Sequence, residues 1–127
     1  MDQTMDNLVY SYSRADAIAD GVLIDVSKMA KEAGIKFPTV VTDNLYHRYI
    51  VPSLELAKMG QSIEGRLWDV LMMFYFKARK SNSDILNYIC LFQMEAGSEA
   101  VEKTIKAHIG PGDTVEPVIT LMLPEED

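Results

Sequence analysis

The side chains with most chemistry to offer crowd one block near the start of the chain. Tyr10, Arg14, Asp16, Asp20 and Asp25 stand there close together. An arginine set among carboxylates, with a tyrosine beside it, can grip and polarise an anionic or nucleotide-like ligand. The same residues also have a purely structural use. Ser13 followed three positions on by Asp16 matches a capping box, Asp20-Gly21 would end the helix so begun, and Arg14 would be a surface ion-pair partner. A second set is Arg66, Trp68 and Asp69. Arg66 and Asp69 are spaced to pair across one helical turn, while Trp68 would be an interface anchor if it reaches solvent and a core residue if it does not. Asp113 closes a Gly110-Pro111-Gly112-Asp113 turn. That turn is too short to cradle a phosphate and lacks the Lys-Ser/Thr that would follow, so hairpin geometry explains it better.

Other chemistries find little support. His47 and His108 are far apart and sit in no metal-ligand spacing, so no metal and no cofactor is expected. The lone Cys90 lies in an apolar stretch with no basic neighbour, which makes it an inert core thiol. No dinucleotide-type glycine pattern, phosphate loop or nucleophile elbow occurs. The acidic ending Glu125-Glu126-Asp127 could meet a basic partner, although a solvated terminus is the ordinary explanation.

The elements that must position these residues form, on this reading, one domain over residues 1–127, with a flexible N-terminus over residues 1–7. The chain is 48% hydrophobic, enough for a core without metal or disulfide. A net charge of −7 disfavours direct nucleic-acid binding. One cysteine excludes an intramolecular disulfide, no apolar run approaches the ~20 residues of a membrane span, and the polar start is not a signal peptide. The expected location is the cytoplasm, with no membrane contact.

Leu8 to Tyr12 reads as a short strand, followed by a helix from Ser13 to Gly21. Val22 to Val26 could be a strand or a buried connector, and Ser27 to Ala33 a helix ended by Gly34. Thr42 or Asp43 can cap a further helix that stops before Pro52, and Ser53 to Met59 is another short piece. From Ser62 to Lys80, Ile63, Leu67, Val70, Leu71, Phe74 and Ala78 share a helical face, while Met72, Met73, Tyr75 and Phe76 fill other faces. The expectation is a central helix touched on several sides. Ile85 to Met94 reads as a long buried strand, and an alternating strand with Val101, Ile105, Ala107 and Ile109 on one side follows it. Val118 to Leu123 makes a third, whose start at Pro117 should lie at a sheet edge. The expected fold class is therefore α+β: a central buried helix on a C-terminal three-stranded antiparallel meander, with a helical or irregular N-terminal half.

Three ordered blocks carry a resemblance: Tyr10-Ser11-Tyr12-Ser13-Arg14-Ala15-Asp16 running on to Asp25, Gly65-Arg66-Leu67-Trp68-Asp69-Val70-Leu71, and Gly110 to Asp113 with Glu116-Pro117-Val118-Ile119 and the Leu123-to-Asp127 ending. Over nearly its whole length the chain resembles a bacterial domain family of unknown function found on plasmids, conjugative elements and phages. The resemblance implies an accessory or host-interference role and brings no established catalytic residues. The leading expectation is a non-enzymatic protein-binding module that uses the first block and the exposed side of the sheet. Two alternatives stay open: a small enzyme or ligand-binding domain for a nucleotide-like or anionic metabolite, using Tyr10, Arg14, Asp20 and Asp113, and a subunit of a homo-oligomer.

Overall fold

The structure, a computed structural model, describes residues 12–126. Tyr10, residues 1–7 and the strand expected from Leu8 onward lie outside them. Helix α1 (Arg14–Ala19) starts with a complete capping box. The Ser13 hydroxyl accepts from the Asp16 amide at 2.9 Å, and the Asp16 carboxylate accepts from the Ser13 amide at 3.1 Å. Gly21, at φ +78°, then turns the chain into β1 (Leu23–Asp25), and α2 (Ser27–Glu32) leads through Gly34 to β2 (Thr39–Thr42). Gly34 has φ +97°, and a Cβ there would meet the Tyr75 ring at 3.1 Å, so both conformation and space favour glycine.

Thr42 caps α3 (Asp43–Leu45), which widens into a π-helical turn over Tyr46–Ile50. Ser53 caps α4 (Leu54–Lys58), and Ser62 caps α5 (Ile63–Ala78), which ends within two residues of the sequence expectation. The chain finishes with β3 (Ile85–Phe92), β4 (Val101–Pro111) and β5 (Pro117–Met122).

The α+β expectation holds, but the sheet is larger than the meander. Five strands stand in the order β1-β2-β5-β4-β3, all neighbours antiparallel except β2 and β5. The meander β3-β4-β5 is three fifths of it, and the N-terminal half supplies the rest. Strands of three and four residues are too short to show a period-2 pattern, so the sequence left Val22 to Val26, where β1 lies, open between strand and connector and did not place β2 in the sheet. β5 lies inside the sheet. Its Pro117 is tolerated because pairing with β2 begins only at Ile119, opposite Thr39, leaving no neighbour to serve on that side.

Two further expectations need correction, and both concern the site. Helix α5 is not enclosed: Leu67, Val70, Leu71 and Phe74 pack on Leu86, Tyr88, Ile105 and Leu121, whereas Trp68, Met73 and Phe76 face outward. Fully burying a side chain such as Leu71 or Phe74 contributes about 2 to 3 kcal/mol, so this single face suffices to hold the helix on the sheet. Nor is β3 buried on both sides. Leu86, Tyr88, Cys90 and Phe92 alternate beneath α5, while Ile85, Asn87, Ile89 and Leu91 are exposed on the opposite face. The apolar content of both segments exceeds what the core consumes.

Candidate functional site

The first and third sequence blocks meet. Helix α1 lies on the sheet face opposite α5, and Asp113 reaches its free N-terminus with both carboxylate oxygens, accepting from the Arg14 amide at 2.7 Å and the Ala15 amide at 3.0 Å. The Arg14 guanidinium continues across β5, donating to the Thr120 hydroxyl and to the Ile119 carbonyl, each at 2.8 Å. Burial pulls its pKa below the usual arginine value, and the charges of Asp113 and Asp25 work against that shift. Gly112 makes the approach possible: a Cβ there would stand 2.9 Å from Val118 Cγ1 and 3.5 Å from Arg14 Cδ. Asp20 accepts from the Tyr12 hydroxyl at 2.7 Å. Arg14 and Asp113 thus come together as the sequence allowed, with their polar groups fastening α1 to the sheet; Asp16 serves the capping box.

The second block separates. Arg66 is buried, at 7% exposure, and makes no pair with Asp69. Its guanidinium donates to Gln61 Oε1 at 2.9 Å, to the Tyr49 carbonyl at 2.7 Å and to the Gln93 carbonyl, with its Cζ 5.9 Å from the centre of the Phe92 ring. The planar fork ties the π-helical turn, α5 and the end of β3 into one corner. Burial lowers its pKa. Trp68, 39% exposed, and Asp69 are both on the exposed side of α5, where they share a cleft with Leu91. Helical phase explains the difference: Arg66 falls beside Leu67 and Val70 on the inner face, which Trp68 and Asp69 leave.

Three features took shape only in the structure, although the sequence had drawn notice to the acidic ending that supplies the second. The first is a groove of about 740 Å³ on the outer sheet face, floored by Lys106, His108, Thr120 and Met122. The second is its plug. Glu126 accepts from the Thr42 hydroxyl at 2.7 Å and the Leu123 amide at 2.8 Å through one oxygen, and from Asn44 at 3.1 Å through the other; Lys106 donates to its carbonyl. Together with the Arg48–Glu125 pair at 3.3 Å, this fastens Glu125 and Glu126 down. The third is the apolar patch of Ile85, Ile89 and Leu91, which are 53%, 51% and 57% exposed. Its signal was present in the sequence as a β-branched strand with apolar residues at both parities.

Elsewhere the chemistry is quiet. Burial pushes the Cys90 thiol up to about 11. His47 is held by Asp43 at 2.6 Å on a helix surface, apart from His108 in the groove. No cluster of three metal-binding side chains occurs among the described residues, and no helix there is long and apolar enough to cross a membrane.

Fold and site together define an α+β protein in which a mixed sheet carries its long helix on one face and, on the other, a partly apolar surface that the described residues leave largely open. The chain belongs to the family of unknown function DUF6573, whose profile matches residues 3–127. No curated protein and no solved structure matches it.

Proposed function

We propose that this chain is a non-enzymatic protein-binding module, an accessory protein of a bacterial mobile genetic element, working in the cytoplasm through the outer face of its sheet. The observation that carries the reading is the patch of Ile85, Ile89 and Leu91. Ile89 and Leu91 are neighbours on this face and Ile85 stands beyond Asn87, each about half exposed, and exposed apolar surface of this kind marks interaction sites. The polar residues that could have made a catalytic cleft are engaged in holding the fold: Arg14 on β5, Asp113 on α1 and Arg66 in its corner. The element context rests on the resemblance alone.

The test is photo-crosslinking in the host, with a crosslinker at Thr104 beside the patch, in otherwise unaltered chain and in Ile89→Lys. A distinct protein should be captured by the first and lost from the second. Equal capture by both, or capture by neither, overturns the reading. A second reading, a site for an anionic metabolite, is favoured by the groove, where Lys106 and His108 sit above polar Thr42 and Asn44. It requires Glu126 to withdraw, so Glu126→Gln should raise nucleotide or phosphate affinity in calorimetry. Absence of binding by both forms overturns it.

A further inference from the structure

The outer edge of β3, the last strand in the order of the sheet, carries backbone groups that no neighbouring strand takes up among the described residues. The ladder to β4 places Ile85 opposite His108, and the Ile109 amide donates to the Asp84 carbonyl at 2.8 Å. In an antiparallel ladder, residues alternate in the direction of their backbone groups. The even positions from Asp84 to Phe92 therefore bond to β4, and the odd positions turn theirs to the free edge. Ile85 is already served there, since the Ser83 hydroxyl accepts from its amide at 3.2 Å and donates to its carbonyl at 2.8 Å. The amides of Asn87, Ile89 and Leu91 remain without a partner among the described residues, along the edge of an eight-residue strand. An edge of that length, apolar and left uncovered by the described residues, is a template for another strand.

We infer that the occupant is a second copy of this chain, joined antiparallel about a two-fold axis through Ile89 so that β3 pairs with β3 of the partner. The three open residues are symmetric about Ile89. An antiparallel copy centred there sets Ile89 against itself and Asn87 against Leu91 in both directions, and leaves the capped Ile85 outside the pairing. The flanking helix agrees. α5 runs opposite to β3, so along the free edge Trp68 and Asp69 share a cleft with Leu91, while Met73, Phe76, Lys77 and Lys80 share one with Asn87 and Ile89. The two-fold brings the Asp69 end of one α5 to the Lys77 and Lys80 end of the other. Opposite charges meet, and the exposed Trp68, Met73 and Phe76 gain cover. On the outer face the two Ile85-Ile89-Leu91 patches fuse into one across the axis. The inference rests on the proposed binding reading and deepens it, because dimerisation would double the surface offered to a partner.

The experiment is sedimentation equilibrium of the full chain, with amide hydrogen exchange at Asn87, Ile89 and Leu91. The expected result is twice the 14.3 kDa chain mass, with these three amides protected in proportion to the dimer fraction. Asn87→Pro removes an edge amide and no bond to β4, and should raise the dimer dissociation constant about tenfold or more. Lys77→Glu should weaken pairing similarly, and adding Asp69→Lys should restore it, a readout that survives even if the proline variant fails to fold. A monomer over the whole concentration range, edge protection that persists in a monomer, or a double charge reversal that fails to rescue overturns self-pairing. Capture by a monomer that is sensitive to Ile89→Lys would overturn the dimer and leave the binding surface standing; a dimer with no capture would do the reverse.

Discussion

Replacing Arg66 by alanine should be among the most damaging single changes outside the apolar core. The side chain, 7% exposed, delivers three charge-assisted hydrogen bonds, to Gln61 Oε1, the Tyr49 carbonyl and the Gln93 carbonyl. Truncation leaves those acceptors facing a void. Each buried acceptor left unsatisfied costs about 1 kcal/mol or more, and loss of the guanidinium stem from the Phe92 ring adds to that, giving about 3 to 4 kcal/mol. Against a typical total of roughly 5 to 15 kcal/mol, this is a large fraction. Asp69→Ala, on the exposed side of the same helix, should change stability by about 0.5 kcal/mol or less. Urea unfolding followed by far-UV circular dichroism measures both, and the double variant closes a thermodynamic cycle. Arg66→Lys should recover less than half the loss, since an ammonium cannot span three acceptors that a planar fork can. A cost for Arg66→Ala below about 1 kcal/mol, or a coupling between Arg66 and Asp69 above about 0.5 kcal/mol, would refute the buried corner and restore the surface ion pair.

Gly112→Ala should lower stability by about 1 to 3 kcal/mol through overpacking on Val118, and Val118→Ala should recover most of it. A melting temperature for Gly112→Ala equal to that of the unaltered chain would show that the α1 junction is looser than its 2.9 Å clearance implies. Cys90 keeps its proton to about pH 11 when folded, whereas the unfolded thiol ionises near 9.0. Stability is therefore lost as pH rises across that window, because the unfolded state releases the proton first. At about pH 8 a disulfide-exchange reagent should label Cys90 only as fast as the protein opens, and immediate labelling of the native protein contradicts its burial.

Local chemistry wrote several features directly into the sequence. The capping box of Ser13 and Asp16, a cap at Thr42 or Asp43, the helical segments starting at Ser53 and Ser62 and the alternation of β4 depend on neighbours a few positions apart, and the structure has them, with Thr42 as the cap. The α+β class followed from them. What only the tertiary structure decided involves residues brought together across the chain. Whether Asp113 closes a hairpin or caps a helix depends on α1, ninety-nine positions away from it at Arg14. Whether Arg66 pairs with Asp69 or enters a corner depends on which side of α5 the sheet takes, and three carbonyl-type acceptors there outbid one exposed carboxylate. The apolar residues of α5 and β3 could be counted from the sequence, but counting them does not say which the core would use. The sheet covers one face of each element, and Trp68, Met73, Phe76, Ile85, Ile89 and Leu91 are what remained. Hydrophobicity is a property of the residue, whereas exposure is a property of the packing, and in this protein the difference between the two is the apolar surface left outside the core.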